Sequence, residues 1–291
     1  MIKIEDVSIT FGSKKVLDQL SLTMQEGEII GLVAPNGTGK STLLNVIMNY
    51  VPAASGKITV DHFQYTSIKN EQQIHRLVTM MPDQNDLYNY LSGVDHLKIY
   101  QKMWHESSLP IEEVIQALHM EHYIQQKVGS YSLGMRQRLC FAMQIVANTK
   151  YMLMDELMNG LDPTNVELIS TLLVQKKQEG KAILIASHLL ENLAQYADRV
   201  FFLKNGTFVH EMTQTQPKEK IIKFKAALTT TDFEETLNIL PNGTNYFNVH
   251  SEAAQAKIMS LLKENNIEEF SVTHLNLADY YSLYFEQGNN L

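Results

Sequence analysis

The sequence predicts an α/β fold with a largely parallel central sheet, an antiparallel edge and a helical insertion. Two observations lead to this prediction. Short apolar runs alternate with helical patterns, which is typical of parallel strands packed between helices. The segment from Gly31 to Leu44, GLVAPNGTGKSTLL, joins an apolar strand to a glycine-rich turn and a helix start, as phosphate-binding loops do.

The composition indicates a globular, acidic protein. Its 291 residues are 44% hydrophobic and 19% charged, which is ample for a packed core. The net charge of −8 argues against nucleic-acid binding, which normally needs a basic patch. No apolar run approaches the roughly 20 residues of a membrane span, so we expect any membrane association to come through a partner protein. The lone Cys140 fits a reducing, cytoplasmic compartment.

The first part of the chain is predicted to form the antiparallel edge and to begin the parallel sheet. Apolar alternation and turn residues predict strands at 2–10, 20–24, 28–33, 55–60 and 76–81. A helix at 41–50 follows the third of these strands. The third strand therefore leads directly into the glycine-rich turn.

A helical subdomain is predicted at about 88–150, because the apolar spacing becomes helical from Leu91 to about Val128. Its last helix is predicted at 132–147 and opens at Ser132. The following elements are predicted as a strand at 151–154, a helix at 166–178 and a strand at 182–186. This alternation predicts a parallel sheet.

A change of composition predicts a second domain. The polar stretch at 213–217 ends in a proline, which marks a boundary between a domain at 1–212 and one at 218–291. In the tail, apolar alternation predicts strands at 222–228, 247–249 and 270–272, and residues 254–262 share an apolar helix face. We predict a small accessory α+β domain with elements in the order β-α-β-α-β.

The glycine-rich turn predicts a cradle for an anion. Gly37 and Gly39 permit the turn, and the following helix presents its positive end. Lys40 would reach terminal phosphates, and Ser41 would bind Mg²⁺. The backbone N–H groups that would surround the phosphate belong to Asn36, Gly37, Thr38, Gly39, Lys40, Ser41 and Thr42.

Ala34 stands where the motif expects glycine, so the loop entry must tolerate a methyl group. A chance glycine turn is the alternative, but the flanking strand and helix argue against it.

Two carboxylates follow the apolar strand at 151–154. Asp155 and Glu156 would lie at the carboxyl end of a parallel strand, where such sheets bind ligands. Asp155 suits a Mg²⁺ ligand acting through water, and Glu156 suits the residue that polarises water for attack on a γ-phosphate. Solvated acids at a strand end are the alternative interpretation.

Ser132 begins a helix whose free N–H groups offer a second anion site, although an ordinary helix cap explains it equally well. The order of the motifs favours a functional role. The phosphate loop is followed by the helical insertion, the Ser132 cap, the acid pair, the NGLD segment and Ser187-His188.

These motifs resemble those of ATP-binding cassette (ABC) ATPases, the motor subunits of ABC transporters, over residues 1–212. APNGTGKST is similar to the Walker A motif, YSLGMRQR to the family signature, YMLMDE to Walker B, NGLD to the D-loop and SHLLENLAQYADRV to the switch-histidine region. The resemblance implies a P-loop ABC cassette fold that binds ATP and Mg²⁺.

The resemblance also implies a head-to-tail dimer of two cassettes, either identical or paralogous. Ser132 and Gly134 would serve the γ-phosphate of ATP bound by the opposite subunit. Asp162 would couple the two subunits. His188 would hold Glu156 and the γ-phosphate in catalytic geometry.

Several positions differ from the family pattern or keep two explanations. Phe11 stands where the family has an aromatic that stacks on adenine, although packing also explains an aromatic before glycine. Asp83 occupies the place of the family's Mg²⁺-binding glutamine, and Gln84 follows one place later. Either side chain suits Mg²⁺, so both stay candidates.

Leu157 replaces a proline that usually follows the catalytic glutamate. In the signature, Leu133 and Met135 replace glycine and glutamine, a variation similar to that of the antibiotic- and peptide-exporter branch.

The resemblance implies a motor for the export of peptides, amphipathic toxins or drugs through a separate transmembrane permease, at the cytoplasmic face of the membrane. Tyr88, Tyr90 and Trp104 lie where the family docks its membrane partner, although they also fit a core. The stretch at 275–281 resembles the appendix of exporters for bacitracin and similar peptides.

Two alternatives to the exporter motor stay open. A soluble ABC ATPase acting on ribosomes or DNA is disfavoured by the single cassette and the acidic charge. A weakly active regulatory nucleotide-binding subunit is suggested by the departures at Ala34, Asp83 and Leu157. The rate of ATP hydrolysis distinguishes this second alternative.

Overall fold

A computed structural model describes residues 1–188, 190–214, 219–226, 228 and 236–286, with the backbone alone at 191 and 192. The chain divides into two compact units, Met1–Met212 and Thr213–Leu291. The predicted boundary stretch at 213–217 lies partly outside the described residues. Among the described helices, none is long and apolar enough to cross a bilayer.

The first unit contains two sheets and seven helices within the described residues. Its elements, in chain order, are β1 (Ile2–Phe11), β2 (Lys14–Met24), β3 (Ile29–Val33), α1 (Lys40–Ile47), β4 (Ser55–Val60), β5 (Phe63–Gln64), α2 (Ile68–Leu77), β6 (Val78–Met80), α3 (Gly93–Met103), α4 (Ile111–Ala117), α5 (Leu133–Ala147), β7 (Tyr151–Asp155), α6 (Pro163–Gln178), β8 (Ala182–Ser187), α7 (Leu190–Tyr196), β9 (Arg199–Lys204) and β10 (Thr207–Thr213). A four-stranded antiparallel sheet has the order β2-β1-β4-β5, and a six-stranded sheet has the order β10-β9-β3-β8-β7-β6. The predicted α/β class with an antiparallel edge is confirmed.

The six-stranded sheet brings three loops to one edge. Strands β9, β3, β8, β7 and β6 run parallel. Strands β3 and β8 are buried along their whole length, as expected for a parallel sheet covered on both faces. Val33 pairs with Ser187, and Asp155 pairs with Ala186. The loops after β3, β7 and β8 therefore begin side by side.

The predicted strand at 76–81 is too long. Helix α2 starts at Ser67, whose side chain accepts a hydrogen bond from the Asn70 N–H, and it continues to Leu77. Strand β6 contains only Val78–Met80. The first residues of the predicted strand, Arg76 and Leu77, belong to α2. This is because the Ser67 cap begins an amphipathic helical pattern that extends to Leu77.

The second unit contains four strands and two helices within its described residues. They are β11 (Ile221–Phe224), β12 (Leu237–Ile239), β13 (Asn245–Asn248), α8 (Glu252–Glu264), β14 (Phe270–Thr273) and α9 (Leu277–Phe285), with the antiparallel sheet order β12-β13-β11-β14. Its core includes Ile222, Phe247 and Ile258. The predicted order β-α-β-α-β is wrong for the described part, where β12 and α9 are additional elements; residues 229–235 lie outside it.

Asp61 links the four-stranded antiparallel sheet to the six-stranded sheet. Its carboxylate accepts hydrogen bonds from the Met1 amino group, the Lys150 ammonium and the Tyr151 hydroxyl at the start of β7. Burial alone raises the pKa of Asp61, but these three donors outweigh burial and lower the pKa to about 2. The folded state therefore favours the ionised carboxylate.

We expect Asp61→Asn to lower the free energy of unfolding at neutral pH by roughly 2 kcal/mol. Because the pKa is lowered on folding, the carboxylate stabilises the protein fully above its ordinary value of 3.8, and this contribution is lost as the pH falls towards about 2. Urea unfolding at several pH values measures the difference between wild type and variant, which should shrink below pH 4. Glu112→Gln, on an exposed face of α4, is the control for removing one acidic side chain and should change the free energy of unfolding by no more than about 0.5 kcal/mol.

Candidate functional site

The glycine-rich turn lies between β3 and α1 and has the backbone of an anion cradle. Gly37 and Gly39 have φ of 76° and 114°, in the left-handed region that glycine adopts without strain. A Cβ on Gly39 would lie 3.1 Å from the side chains of Val16 and Leu17. Gly39 precedes the first turn of α1, whose unpaired N–H groups are donors for a phosphate.

The polar residues of this turn stay near its opening. Asn36 is exposed, whereas the Thr38 hydroxyl donates to the Pro35 carbonyl at 2.7 Å. Ser41 and Thr42 lie in the first turn of α1. The seven residues predicted to surround a phosphate are therefore contiguous in one turn and helix start.

The alanine at the loop entry is compatible with this geometry. Ala34 is fully buried and its backbone is not left-handed, so the missing glycine causes no strain there. Its carbonyl accepts a hydrogen bond from Lys40 Nζ at 2.7 Å. The Lys40 side chain is 5% exposed, and its Nζ lies 3.5 Å from Glu156 Oε1.

Glu156 connects the phosphate loop to the histidine after β8. Its Oε2 lies 2.6 Å from His188 Nδ1, while its Oε1 faces Lys40. The Glu156 N–H donates to the Ala186 carbonyl at 2.8 Å. The φ of Glu156 is 50°, a left-handed conformation that costs a non-glycine residue roughly 1 kcal/mol. Its surroundings must therefore hold this backbone in place.

Asp155 and Ser41 fit a hard cation. Burial raises the pKa of Asp155, and a hydrogen bond with Ser41 partly opposes this effect. Asp155 Oδ1 is buried and has no hydrogen-bond partner among the described residues. Mg²⁺ is usually held by one or two protein oxygens together with phosphate oxygens and waters. No group of three or more His, Cys, Asp or Glu side chains suited to a metal occurs among the described residues.

The loop after β6 contains both remaining metal candidates. Asp83 is exposed, and its Oδ1 accepts a hydrogen bond from the Asn85 N–H at 2.8 Å, which caps a short 3-10 turn. Asp83 also lines a cavity of about 520 Å³ with Asp155. The Gln84 side chain donates to Gln137, and its Oε1 is buried with no partner. Asp83 and Gln84 therefore both stay candidates for binding a metal ion.

The signature helix packs against the D-loop segment. Ser132 caps α5 by accepting a hydrogen bond from the Met135 N–H at 3.3 Å. A Cβ on Gly134 would lie 3.3 Å from the Gly160 carbonyl oxygen. Asp162 caps α6 by accepting from the Asn165 N–H at 3.0 Å, a hydrogen bond that lowers the pKa of Asp162. Within the part of the chain that the structure describes, no hydrogen bond joins Ser132 to the phosphate loop.

Phe11 ends β1 with its side chain 51% exposed, so its ring is accessible for stacking. Gln137 lies inside the YSLGMRQR motif but is not among the site residues predicted from the sequence. It is 4% exposed on a helix face that is otherwise mainly apolar. A polar residue within an apolar helical face was the signal that could have identified it.

A phosphate loop after β3 and an acid pair at the end of β7, in one parallel sheet with β8 between these two strands, define a P-loop nucleoside triphosphatase. A family model described as ABC transporter matches residues 17–159. The ABC transporter ATP-binding protein YdbJ of Bacillus subtilis, itself uncharacterized, is 32% identical over 93% of this chain and 86% of its own. The chain therefore belongs to the ABC transporter ATP-binding family and is an ABC ATPase, which confirms the resemblance drawn from the motifs.

The chain is also similar to a second relative and to a solved structure. The bacitracin transport ATP-binding protein BcrA of Bacillus licheniformis is 27% identical over 97% of this chain and 96% of its own. A dimeric structure of the ATP-binding cassette MJ0796 in a post-hydrolysis state, bound to ADP and Pi, has a TM-score of 0.67 at 23% identity. The match covers 74% of this chain and 100% of that cassette, and it supports the cassette fold.

Proposed function

We propose that this protein is the ATP-hydrolysing motor of an exporter for peptides, amphipathic toxins or drugs. The observation that supports it is the placement of Glu156 between Lys40 and His188, at the sheet edge that carries the phosphate loop. The acid, its two basic neighbours and the loop are the parts that γ-phosphate hydrolysis requires.

In this mechanism Glu156 orients and polarises the attacking water. Its contact with His188 holds the carboxylate at the γ-phosphate side, and Lys40 binds the terminal phosphates. Ser41 and Asp155 would hold Mg²⁺, which would supply positive charge to neutralise the phosphate oxygens. The protein thus positions the reacting groups and stabilises the charge on the phosphate, which are the main contributions of a protein to phosphoryl transfer.

The working unit in this proposal is a dimer that contains two ATP molecules. Ser132 is exposed and has no hydrogen bond to its own phosphate loop among the described residues, so it is accessible to a facing subunit. The dimeric state of the MJ0796 cassette supports this arrangement. Ser132 and Gly134 of one subunit would then complete the site that contains Lys40 of the other.

The partner is a transmembrane permease that docks beside the loop after β6. The cavity of about 520 Å³ there is lined by Met81, Leu87, Tyr88 and Met103, among others. Tyr88 is 52% exposed and Tyr90 69% exposed, as suits interface anchors. Trp104 is half-buried, and its Nε1 donates to the His75 carbonyl at 2.8 Å, which makes it a structural support of this surface.

Bacitracin transport by BcrA supports a peptide-type cargo, and association with the permease would place the protein at the cytoplasmic membrane face. The residues at 218–291 would then be an accessory domain of the motor. The two alternatives stay distinct from this proposal: a ribosome- or DNA-associated ATPase would have other partners, and a regulatory subunit would hydrolyse ATP slowly.

We expect Tyr88→Ser with Tyr90→Ser to reduce recovery of a polytopic membrane protein at least tenfold when the tagged subunit is purified from detergent-solubilised membranes, because these two rings anchor the interface. The matched control is Ile68→Ser, which removes an apolar side chain that is 77% exposed on α2. Recovery of ribosomes or DNA in place of a membrane protein would support the soluble alternative instead.

A further inference from the structure

Gln137 lies between two parts of the proposed catalytic site. It is buried on α5, and its Nε2 donates to the backbone carbonyls of Glu156 at 3.1 Å and Leu157 at 2.7 Å. Its Oε1 accepts a hydrogen bond from Gln84 Nε2 in the loop after β6. One side chain therefore joins the signature helix, the end of β7 and this loop.

The hydrogen-bond partners determine which end of the Gln137 and Gln84 side-chain amides faces which neighbour. Carbonyl oxygens only accept hydrogen bonds, so the Gln137 amide nitrogen must face Glu156 and Leu157. Its oxygen then faces Gln84, which must present its own nitrogen. The Gln84 oxygen is left buried and without a partner. A single anchored side chain thus determines how Gln84 is oriented.

The hydrogen bonds from Gln137 to the Glu156 and Leu157 carbonyls lie at a residue with an unfavourable backbone conformation. Glu156 is left-handed, and its carboxylate reaches Lys40 and His188 only while this backbone is held. The Glu156 N–H is fixed by the Ala186 carbonyl, and Gln137 fixes the opposite side of the same residue. Without Gln137, the Leu157 carbonyl would lose the donor that Gln137 supplies, and the Glu156 carbonyl would keep the Asn159 N–H at 3.1 Å, so the peptide would be held less firmly.

We propose that Gln137 is a positioning residue for hydrolysis. It holds the Glu156 backbone so that the carboxylate faces the γ-phosphate, and it links this backbone to the loop that contains Asp83 and Gln84. The inference rests on the proposed role of Glu156. It predicts that loss of Gln137 lowers kcat while nucleotide binding through the phosphate loop persists.

Gln144 provides a matched control on the same helix. It is fully buried, and its Nε2 donates to a backbone carbonyl, that of Thr79 at 3.0 Å, on strand β6. Gln144→Met removes the same kind of hydrogen bond from the same helix without contact to Glu156. A purely structural role for Gln137 would therefore give similar results for both variants.

The experiment compares Gln137→Met and Gln144→Met in the full-length protein. Steady-state phosphate release gives kcat and KM, a fluorescent ATP analogue gives affinity, and thermal unfolding gives Tm. We expect Gln137→Met to lower kcat at least tenfold with KM and affinity within threefold. Gln144→Met should lower Tm comparably and leave kcat within twofold. An equal loss of kcat in the two variants, or a normal kcat in Gln137→Met, overturns the proposal.

Two further variants keep the inference testable if Gln137→Met does not fold. Gln137→Glu keeps an acceptor for Gln84 but cannot donate to the carbonyls when ionised, so its kcat should also fall at least tenfold. Gln84→Leu removes the loop link and also a candidate Mg²⁺ ligand, but it leaves both hydrogen bonds to the carbonyls, so a smaller decrease in kcat than in Gln137→Met is expected. If Glu156→Gln retains turnover, the proposed function fails. If Glu156→Gln is inactive while Gln137→Glu is normal, only this inference fails.

Discussion

Glu156→Gln should abolish steady-state phosphate release while ATP binding persists. The substitution keeps the size of the side chain but removes the negative charge that faces His188 and that is proposed to polarise water. The phosphate loop and Lys40 are left intact, so affinity for ATP should change little. Loss of a general base typically lowers the rate by about 10²- to 10⁴-fold.

Phosphate release and binding of a fluorescent ATP analogue, measured on the same preparation, test this expectation. Glu167→Gln is the control, because Glu167 is an exposed acid on α6 away from the phosphate loop. Its rate should equal that of wild type. An unchanged rate in Glu156→Gln would remove the catalytic assignment, and a very slow wild type would favour the regulatory subunit.

The parts of the site that could be predicted from the sequence are those carried by short contiguous motifs. Gly37, Gly39 and Lys40 follow one strand, and Asp155 and Glu156 follow another. Because the carboxyl ends of parallel strands meet at one edge, the position of each motif after a strand predicted that the two would meet. The register of β3, β7 and β8 brings them together.

Other features depended on contacts that no local pattern encodes. Gln137 donates to the backbone carbonyls of Glu156 and Leu157 just after β7, and a carbonyl has no sequence signal. The strand β12 has three residues and is half-buried or exposed, too short for a reliable alternation. The strand expected to run from Ile222 to Leu228 ends at Phe224, where its pairing with β13 and β14 ends. Strand pairing therefore set these boundaries.

Ser132→Asp should lower ATP turnover about a hundredfold if Ser132 faces the γ-phosphate of a neighbouring subunit. Aspartate is a good helix cap and can keep the hydrogen bond from the Met135 N–H, so α5 should be preserved. The new negative charge would oppose the phosphate that the hydroxyl is proposed to bind. Ser132→Asn, which also caps but is neutral, is the matched control and should retain turnover within tenfold.

A mixing experiment distinguishes donation between subunits from an effect within one chain. Lys40→Ala removes the phosphate-loop lysine, and Ser132→Asp blocks the signature, so each variant alone should be inactive. In a dimer of two copies of this chain, a mixed pair contains one site with both Lys40 and Ser132 intact. Random pairing should therefore restore about a quarter of wild-type turnover. A mixture as inactive as its components contradicts the composite site, because intact Lys40 and intact Ser132 would then fail to cooperate across two chains.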